Sequence, residues 1–439
     1  IVAISLCGMF PVALMWNTNV VYYSLIGILI GTSFFLPVQL KYLIHYSRRI
    51  IPNGWLEAIM AIEHIKTTSR KNVVAIAAMS ITISLYLSGM IVIDSTRFTC
   101  FNWANNVLSA DIYVNAKSSI FSFRGDYIPN DAVEFIKKSP DMQAVNLLVH
   151  KDIILKKKPI RIIGMEFDTI GNYYKLPLVK PMDETELKTV FSNSNNILVS
   201  EHLAHEFNYH IGDLISIPGD HGIVELKIAN IFNNYAIHKD ILLIPNNLFL
   251  QMYDDSRVES AMIYLKEPSA YQSFLDEFKG AFPDINLPIY NQIEVKNIGI
   301  HMMEQTFKIS RAIILAIFVL TALTLFNVLE QLILSRKHEF TIFWSIGALD
   351  FTLIKMCLWE SFLIYVAAFL GSIIPTIMGL CLIFKFLTQF LFGVNIVLVI
   401  SYSSIFFFFI LLSGLVILDG LLPAFKIKKF INAKGLRYE

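Results

Sequence analysis

Apolar residues are concentrated in long runs along this chain, separated by short polar stretches and by one large segment of mixed composition. The six runs cover residues 1–16, 20–44, 73–93, 309–334, 353–384 and 396–419. A helix of about 20 apolar residues crosses the ~30 Å hydrocarbon core of a bilayer. The pattern therefore predicts an α-helical membrane protein with six transmembrane spans. The first span is truncated, because we expect the native N-terminus to precede Ile1.

Lysine and arginine residues indicate which ends of the spans face the cytoplasm. They crowd three places, namely the connection after the second span, the connection after the fourth span and the C-terminal tail: Lys41, Arg48, Arg49, Lys66, Arg70, Lys71, Arg336, Lys337, Lys426, Lys428, Lys429, Lys434 and Arg437. Cytoplasmic loops carry an excess of these residues. All three places fall on one side of the membrane when the spans alternate, which puts residues 97–305 outside.

Residues 97–305 have the composition of a folded soluble domain. Apolar alternation predicts strands at 111–115, 147–156, 160–165, 196–200, 214–218, 223–231, 241–245 and 261–266, and helical spacing predicts helices at 131–138, 201–208, 246–253 and 269–282. We therefore predict one large α+β extracytoplasmic domain inserted between spans three and four. From residue 291 onward the chain has a helical pattern that runs into the fourth span as a stalk.

The composition agrees with a membrane protein. The chain of 439 residues is 55% hydrophobic and 16% charged, with a mean hydropathy of +0.56, whereas soluble domains carry about 25% charged residues. The net charge of +1 gives no sign of a nucleic-acid partner, and we expect none. We expect the four cysteines to form no disulfide, since Cys7, Cys357 and Cys381 lie in apolar runs and only Cys100 lies near an aqueous face.

The stretch between the fourth and fifth spans, residues 335–352, is called the connecting segment below. It begins with a charged cluster from Arg336 to Glu339. Apolar or small residues then recur at spacings of three and four: Phe340, Phe343, Gly347, Phe351 and Ile354. That spacing puts them on one side of a helix. We predict a helix at the membrane surface whose aromatic face docks into another protein.

Several motifs resemble the FtsX-like permease domain of the MacB, LolC/LolE and FtsX class of ABC transporters. Arg336, Glu339, Gly347 and Ala348 match the segment that links two transmembrane helices in that family. Three further stretches resemble the start of the family's outer domain, its Gly-Asp turn before a strand, and its basic tail: ADIYV (110–114), ILVSEHLAHEFNYHIGDLISI (197–217) and LLPAFKIKKFINAKGLRYE (421–439). The resemblance covers residues 54–439.

The resemblance implies that the connecting segment is a coupling helix, which receives the motion of a separate cytoplasmic P-loop ATPase. On this interpretation the aromatic residues are buried in the ATPase and the charged residues lie at the rim, and the contact set is Arg336, Glu339, Phe340, Phe343, Gly347 and Phe351. The leading residues 1–45 fit the larger version of the family, in which two helices join two such units. A second permease half, or a second permease copy, is therefore an expected partner.

Polar and small residues in the fifth span have alternative interpretations. Glu360 could be a proton relay, since carboxylates inside a membrane usually mark function. It lies near the predicted cytoplasmic end, and the family has glutamate there without proton chemistry, so a structural role is favoured. Gly371, Pro375 and Gly379 share one helix face at four-residue spacing, which favours close helix packing, with a hinge as the alternative.

The sequence carries no recognised catalytic or metal-binding motif. His202 and His205 are three residues apart on a predicted helix, between Glu201 and Glu206, but H-E-x-x-H is absent. We interpret them as surface histidines. Neither G-x-S-x-G nor the P-loop pattern G-x-x-x-x-G-K-[ST] occurs. We therefore expect no catalytic residue, no metal and no cofactor in this chain, with ATP bound by the partner subunit.

The family resemblance implies the permease subunit of an ABC transporter in a bacterial inner membrane, not itself an enzyme. It would transmit ATPase motion to the extracytoplasmic domain, in order to extrude a lipoprotein, lipid or amphiphile, or to act mechanically on a periplasmic protein. The alternative is a membrane receptor whose outer domain binds a ligand and signals inward. A secondary transporter would need ionisable residues at the midplane, and the spans carry almost none.

The predicted organisation divides the chain as follows: linking transmembrane helices (1–45), a cytoplasmic amphipathic connector (46–72), a transmembrane helix (73–96), the α+β domain (97–305), a transmembrane helix with its stalk (306–334), the coupling helix (335–352), a transmembrane helix (353–385), an external loop (386–395), a transmembrane helix (396–420) and a basic cytoplasmic tail (421–439).

This topology is testable with a membrane-impermeant thiol reagent. A cysteine replacing Ser269 should be labelled in intact cells, after permeabilisation of any outer membrane, because residues 97–305 are predicted to lie outside. A cysteine replacing Ser335 should stay unlabelled until the inner membrane is opened. The reverse labelling pattern would contradict the whole scheme.

Overall fold

The structure is a computed structural model, and it describes residues 18–52, 54–116, 127–191, 195–235, 240–335, 337–386 and 396–430. The chain divides into two compact units. The helical unit comprises Ile1–Thr96, Phe307–Phe386 and Leu398–Glu439, and the sheet unit comprises Arg97–Thr306 and Leu387–Val397. Each unit has its own hydrophobic core.

The long helices coincide with the apolar runs of the sequence, and two short helices lie in the connections between runs. The long helices are α1 (Thr18–Ser33), α2 (Leu36–Ile50), α4 (Ser69–Val107), α10 (Gln292–Leu334), α12 (Asp350–Phe386) and α13 (Tyr402–Phe430), and the short ones are α3 (Leu56–Thr67) and α11 (Lys337–Ser345). Among the described residues, four helices are long and apolar enough to cross a membrane, and the count becomes five if the bent pair α1–α2 is one span. The predicted run 1–16 lies outside the described residues, so six spans remain a prediction.

The second apolar run is broken, which corrects the prediction of one straight span over 20–44. Helix α1 ends at Ser33, α2 begins at Leu36, and the two axes differ by 41°. Pro37 explains the break, because proline has no backbone N–H and its ring clashes with the preceding helical turn. At the first turn of a new helix the same residue is well tolerated.

The last span is also shorter than the predicted 396–420. Residues 396–401 are not helical, and α13 begins at Tyr402. The backbone N–H of Val399 donates a hydrogen bond to Ser95 Oγ at 2.9 Å. This N–H therefore has an acceptor even though the backbone is not helical here. β-Branched residues are frequent in this stretch and favour extended backbone. The predicted external loop, residues 386–395, lies almost entirely outside the described residues.

Polar side chains hold the helices of the helical unit together. Ser80 Oγ donates to the carbonyl of Ala368 at 2.9 Å, and Thr376 Oγ1 lies 3.1 Å from Ser84 Oγ. Tyr365 Oη donates to the carbonyl of Phe409 at 2.9 Å. Such bonds satisfy polar groups where no water is present and let helices approach closely.

The sheet unit is built on one mixed sheet. Its strands are β1 (Ile112–Asn115), β2 (Met142–Leu155), β3 (Lys158–Met165), β4 (Asn196–Ser200), β5 (Leu214–Gly219), β6 (Gly222–Phe232), β7 (Ile241–Pro245), β8 (Ser260–Leu265) and β9 (Ile289–Asn291). Their order is β5-β6-β4-β7-β3-β2-β8-β1-β9. The pairs β3–β7 and β4–β6 are parallel, and the other pairs are antiparallel.

Both faces of the sheet are covered. The helices of this unit are α5 (Asn130–Lys138), α6 (Glu184–Phe191), α7 (Glu201–Phe207), α8 (Asn246–Met252) and α9 (Tyr271–Ala281). Neighbouring strand residues point to opposite faces, so Leu242 joins the core with α5, α7, α8 and α9, whereas Leu243 joins the core with α6. The predicted combination of strands and helices is thus present, and its placement outside the membrane remains a prediction.

Candidate functional site

The connecting segment folds as a short helix and a turn, not as the single helix that its periodicity predicted. Helix α11 ends at Ser345, and α12 begins at Asp350. Between them Gly347 adopts a φ of +95°, a left-handed conformation in which glycine is favoured. The N–H of Ala348 donates to the carbonyl of Phe343 at 3.1 Å. This geometry is a Schellman motif, which commonly ends a helix. Arg336 lies outside the described residues.

The turn divides the predicted aromatic face between two environments. Phe340 is fully buried inside this chain, in a cluster with Ala61 of α3, Ile333 of α10 and three residues of α12: Leu353, Met356 and Cys357. Phe343 and Ala348 pack at the edge of the same cluster. The prediction that Phe340 is buried in a partner protein is therefore wrong, because the inward side of α11 is needed to anchor the segment to α3, α10 and α12.

The outward side of the connecting segment exposes large apolar side chains. The exposed fractions are 47% for Ile342, 77% for Ile346, 73% for Leu349 and 65% for Phe351. We call these four residues the outward apolar patch. Of the predicted contact residues, Phe351 lies in the patch, and Gly347 and Glu339 are exposed beside it. The sequence prediction missed Ile342, Ile346 and Leu349, because it assumed one continuous helix over the connecting segment. The turn at Gly347 changes which side chains beyond it face the same side as α11.

A contact between His64 and two carboxylates ties the connecting segment to two other helices. His64 of α3 has its Nδ1 atom 2.8 Å from Glu360 Oε1 of α12, and its Nε2 atom 3.5 Å from Glu339 Oε2 of α11. Beside it, Lys355 of α12 pairs with Glu57 of α3 at 3.6 Å. Glu360 therefore lies in a contact between helices, which is compatible with the structural role that we favoured. No motif in the sequence pointed to His64.

Gly371, Pro375 and Gly379 all lie on the buried side of α12, which continues as a helix through Pro375. A Cβ atom at position 371 would come within 2.5 Å of Leu36 Cδ2 and 2.7 Å of Ser80 Oγ. At position 379 the nearest atoms are Ser88 Oγ at 3.9 Å and Leu25 Cδ2 at 4.0 Å. Only Gly371 is therefore at a helix contact that excludes a side chain.

His202 of the sheet unit contacts an acidic side chain. His202 Nδ1 lies 2.7 Å from Asp240 Oδ1, and Glu206 brings a third potential metal-binding group to the same place. Lys158 pairs directly with Glu206, so a cation already occupies that carboxylate. His205 is exposed and does not join the group.

Comparison with known proteins gives one curated relative. It is an uncharacterized ABC transporter permease protein of Mycobacterium tuberculosis, 21% identical over 353 residues, which are 77% of this chain and 41% of the relative. The predicted resemblance to ABC transporter permeases is confirmed. The chain spans less than half the length of that relative. No protein-family model matches the chain.

Solved structures similar to this chain include a periplasmic region and an extracellular domain. The periplasmic region of MacB from Actinobacillus actinomycetemcomitans matches 44% of this chain and 94% of its own, with a TM-score of 0.33 and 12% identity. The extracellular domain of the transporter YknZ from Gram-positive bacteria matches 42% of this chain and 99% of its own, with a TM-score of 0.30 and 8% identity.

The contrast between Gly371 and Gly379 gives a stability test. Gly371→Ala should make the helical unit less stable than Gly379→Ala by about 1–3 kcal/mol, because the added methyl group must displace Leu36 and Ser80. Both variants gain the same helix propensity, so the difference isolates the packing term. Thermal unfolding of the full chain in one detergent measures it. Equal midpoints for the two variants would contradict the close contact at Gly371.

Proposed function

We propose that the chain is the permease subunit, or half of it, of an ABC transporter in a bacterial inner membrane. A separate cytoplasmic P-loop ATPase binds the outward apolar patch of the connecting segment. The chain itself hydrolyses no ATP in this proposal. The second permease half, or a second copy of the chain, completes the transporter. Support comes from the similarity to an ABC transporter permease and from the geometry of the connecting segment.

The observation that carries this proposal is the outward apolar patch. Its four large side chains lie on the short segment between α10 and α12, two helices that are long and apolar enough to span a membrane. Burying one such side chain is worth about 1.5–3 kcal/mol, so the patch favours a partner surface. The inward side of the same segment is already packed against this chain. The segment is thus anchored on one side and exposes an apolar surface on the other.

The packing of α11 provides a route by which a push on the patch reaches the spans. Phe340 lies against Ile333, one residue before the end of α10, and against Leu353 and Met356 in the first turns of α12. Interiors packed in this way transmit displacement, because their compressibility is low. Helix α10 then continues without interruption for 43 residues to Gln292.

The proposed role of the sheet unit follows from this transmission of motion along α10. The motion of α10 reaches the mixed-sheet domain, which extrudes a lipoprotein, lipid or amphiphile, or acts on a periplasmic protein. In this proposal no substrate passes through a polar channel between the spans. The sheet unit supplies the surface that meets the cargo or the periplasmic partner.

Substitutions in the patch test the ATPase contact. Leu349→Asp and Ile346→Asp should each weaken binding of the ATPase by about thirtyfold, because an interface residue buried near the centre contributes about 2 kcal/mol. Co-purification of the partner from one detergent, and stimulation of its ATPase activity by the chain, measure the effect.

The matched control is Ile223→Asp, since Ile223 is 75% exposed but lies in the sheet unit, whereas Ile346 is 77% exposed. This variant should retain the ATPase. Undiminished binding and stimulation with both Leu349→Asp and Ile346→Asp would contradict the proposal. So would equal loss with Ile223→Asp, which would indicate a nonspecific effect.

A further inference from the structure

We propose that the exposed face of α2 binds anionic phospholipids, with Lys41 and Arg49 contacting their phosphate groups. In this proposal Tyr42 and Tyr46 lie at the boundary between the acyl chains and the headgroups. The inference goes beyond the proposed function, and it holds whether or not an ATPase binds the connecting segment.

The direction of α2 is the first step. Its axis differs by 41° from that of α1, and the bent pair is long and apolar enough to be one membrane span. Helix α1 has 16 residues, which extend about 24 Å at a rise of about 1.5 Å per residue. The hydrocarbon core is ~30 Å thick. A span built from this pair therefore uses the first turns of α2 to complete the crossing, and the last turns reach the membrane surface.

The two sides of α2 have different surroundings. Leu36 and Leu40 are buried in the core of the helical unit, and Leu43 and Ile44 pack against that core. The exposed side chains recur at spacings that keep them on the opposite side of the helix: Val38, Lys41, Tyr42, His45, Tyr46 and Arg49. The helix is thus amphipathic, anchored to the protein on one side and open to a partner on the other.

The chemical character of the exposed face changes along the helix. Val38 is 55% exposed near its start, and Tyr42 and Tyr46 follow with 63% and 58% exposed. Arg49 is in the last turn. Apolar, aromatic and basic is the order that suits a passage from the acyl chains to the headgroups, because tyrosine is enriched at the boundary between membrane and water. A protein partner would not require this order.

The charge of this part of the chain favours an anionic partner. The sequence has no aspartate or glutamate before Glu57, whereas α2 carries Lys41, Arg48 and Arg49. Basic side chains near the end of a helix also stabilise its dipole, but this effect does not explain Lys41, which lies two turns earlier. A lysine at that depth can extend its apolar stem along the helix and place its ammonium group among the headgroups. Phosphate accepts charged hydrogen bonds from both residue types, and basic amphipathic helices are typical of contacts with anionic lipids.

Photo-crosslinking to lipid tests this contact. The full chain, with a photoreactive phenylalanine analogue replacing Tyr42, is reconstituted without any ATPase in nanodiscs of phosphatidylcholine with a minor share of phosphatidylglycerol. Mass spectrometry measures the ratio of phosphatidylglycerol to phosphatidylcholine among the adducts. This ratio should exceed the bulk ratio at least about fivefold, the preference that one basic side chain gains near an anionic surface. The same analogue replacing Phe406, which is 65% exposed on α13, should report the bulk ratio.

Charge variants identify the residues responsible. Lys41→Gln together with Arg49→Gln should return the ratio at position 42 to the bulk value. The matched control is Lys308→Gln together with Arg311→Gln, which removes two exposed cations from α10. This control should leave the enrichment at position 42 unchanged.

Three results would overturn the proposal. The first is a bulk lipid ratio at position 42 without any charge substitution, and the second is an enrichment that survives the loss of both Lys41 and Arg49. The third is competition by soluble glycerol phosphate, which would indicate a site for free phosphate and not for a lipid. In living cells, adducts of position 42 with a protein in place of lipid would also contradict it. Since the nanodiscs hold no ATPase, their results are independent of the ATPase contact.

Discussion

The burial of Phe340 against α3, α10 and α12 is the contact on which the arrangement of the connecting segment depends. A buried aromatic side chain of this size contributes several kcal/mol, about 3–5 by the cost of its removal from a core. It fixes which side of α11 faces inward. The Schellman turn at Gly347 then sets the direction of the chain into α12. Together these two features leave Ile342, Ile346, Leu349 and Phe351 exposed.

Polar side chains of two kinds join the helices of the helical unit. Where two membrane helices approach closely, a small residue or a hydroxyl group lies at the contact, as at Gly371 and Ser80. At another contact between helices the side chains are ionisable, as at His64 and Glu360.

The strands of the sheet unit were predicted well, because short runs of neighbouring apolar residues are enough to indicate them. The strand at 196–200 and the strand at 241–245 have the predicted bounds, since continuous apolar runs with turn residues on both sides are typical of strands covered on both faces. The short strand β9 was missed because three residues are too few to show a period. The break at Pro37 had a local signal in the proline itself, but the apolar run around it was taken as continuous.

The candidate site was predicted less well, because its geometry depends on contacts between distant residues. The location of the site was deduced from local charge and from the family resemblance. The inward and outward sides of α11 depend also on Ala61 of α3, which lies far away along the chain. His64 and Glu360 are separated by 296 residues, and no pattern in one sequence relates them. A glycine in a helical pattern can also end the helix. Had Gly347 been taken as a helix end, the residues after it would not have been placed on the same helix face as Phe340 and Phe343.

Site-specific photo-crosslinking in living cells tests the central claim most directly, that the outward apolar patch binds an ATPase. A photoreactive phenylalanine analogue is placed at Leu349, which is 73% exposed, and in a separate variant at Phe343, which packs on the internal cluster. The account predicts that the Leu349 variant forms an adduct that mass spectrometry identifies as a P-loop ATPase, and that the Phe343 variant forms adducts within its own chain. An adduct of the Leu349 variant with lipid alone, or equal ATPase adducts at both positions, would contradict it.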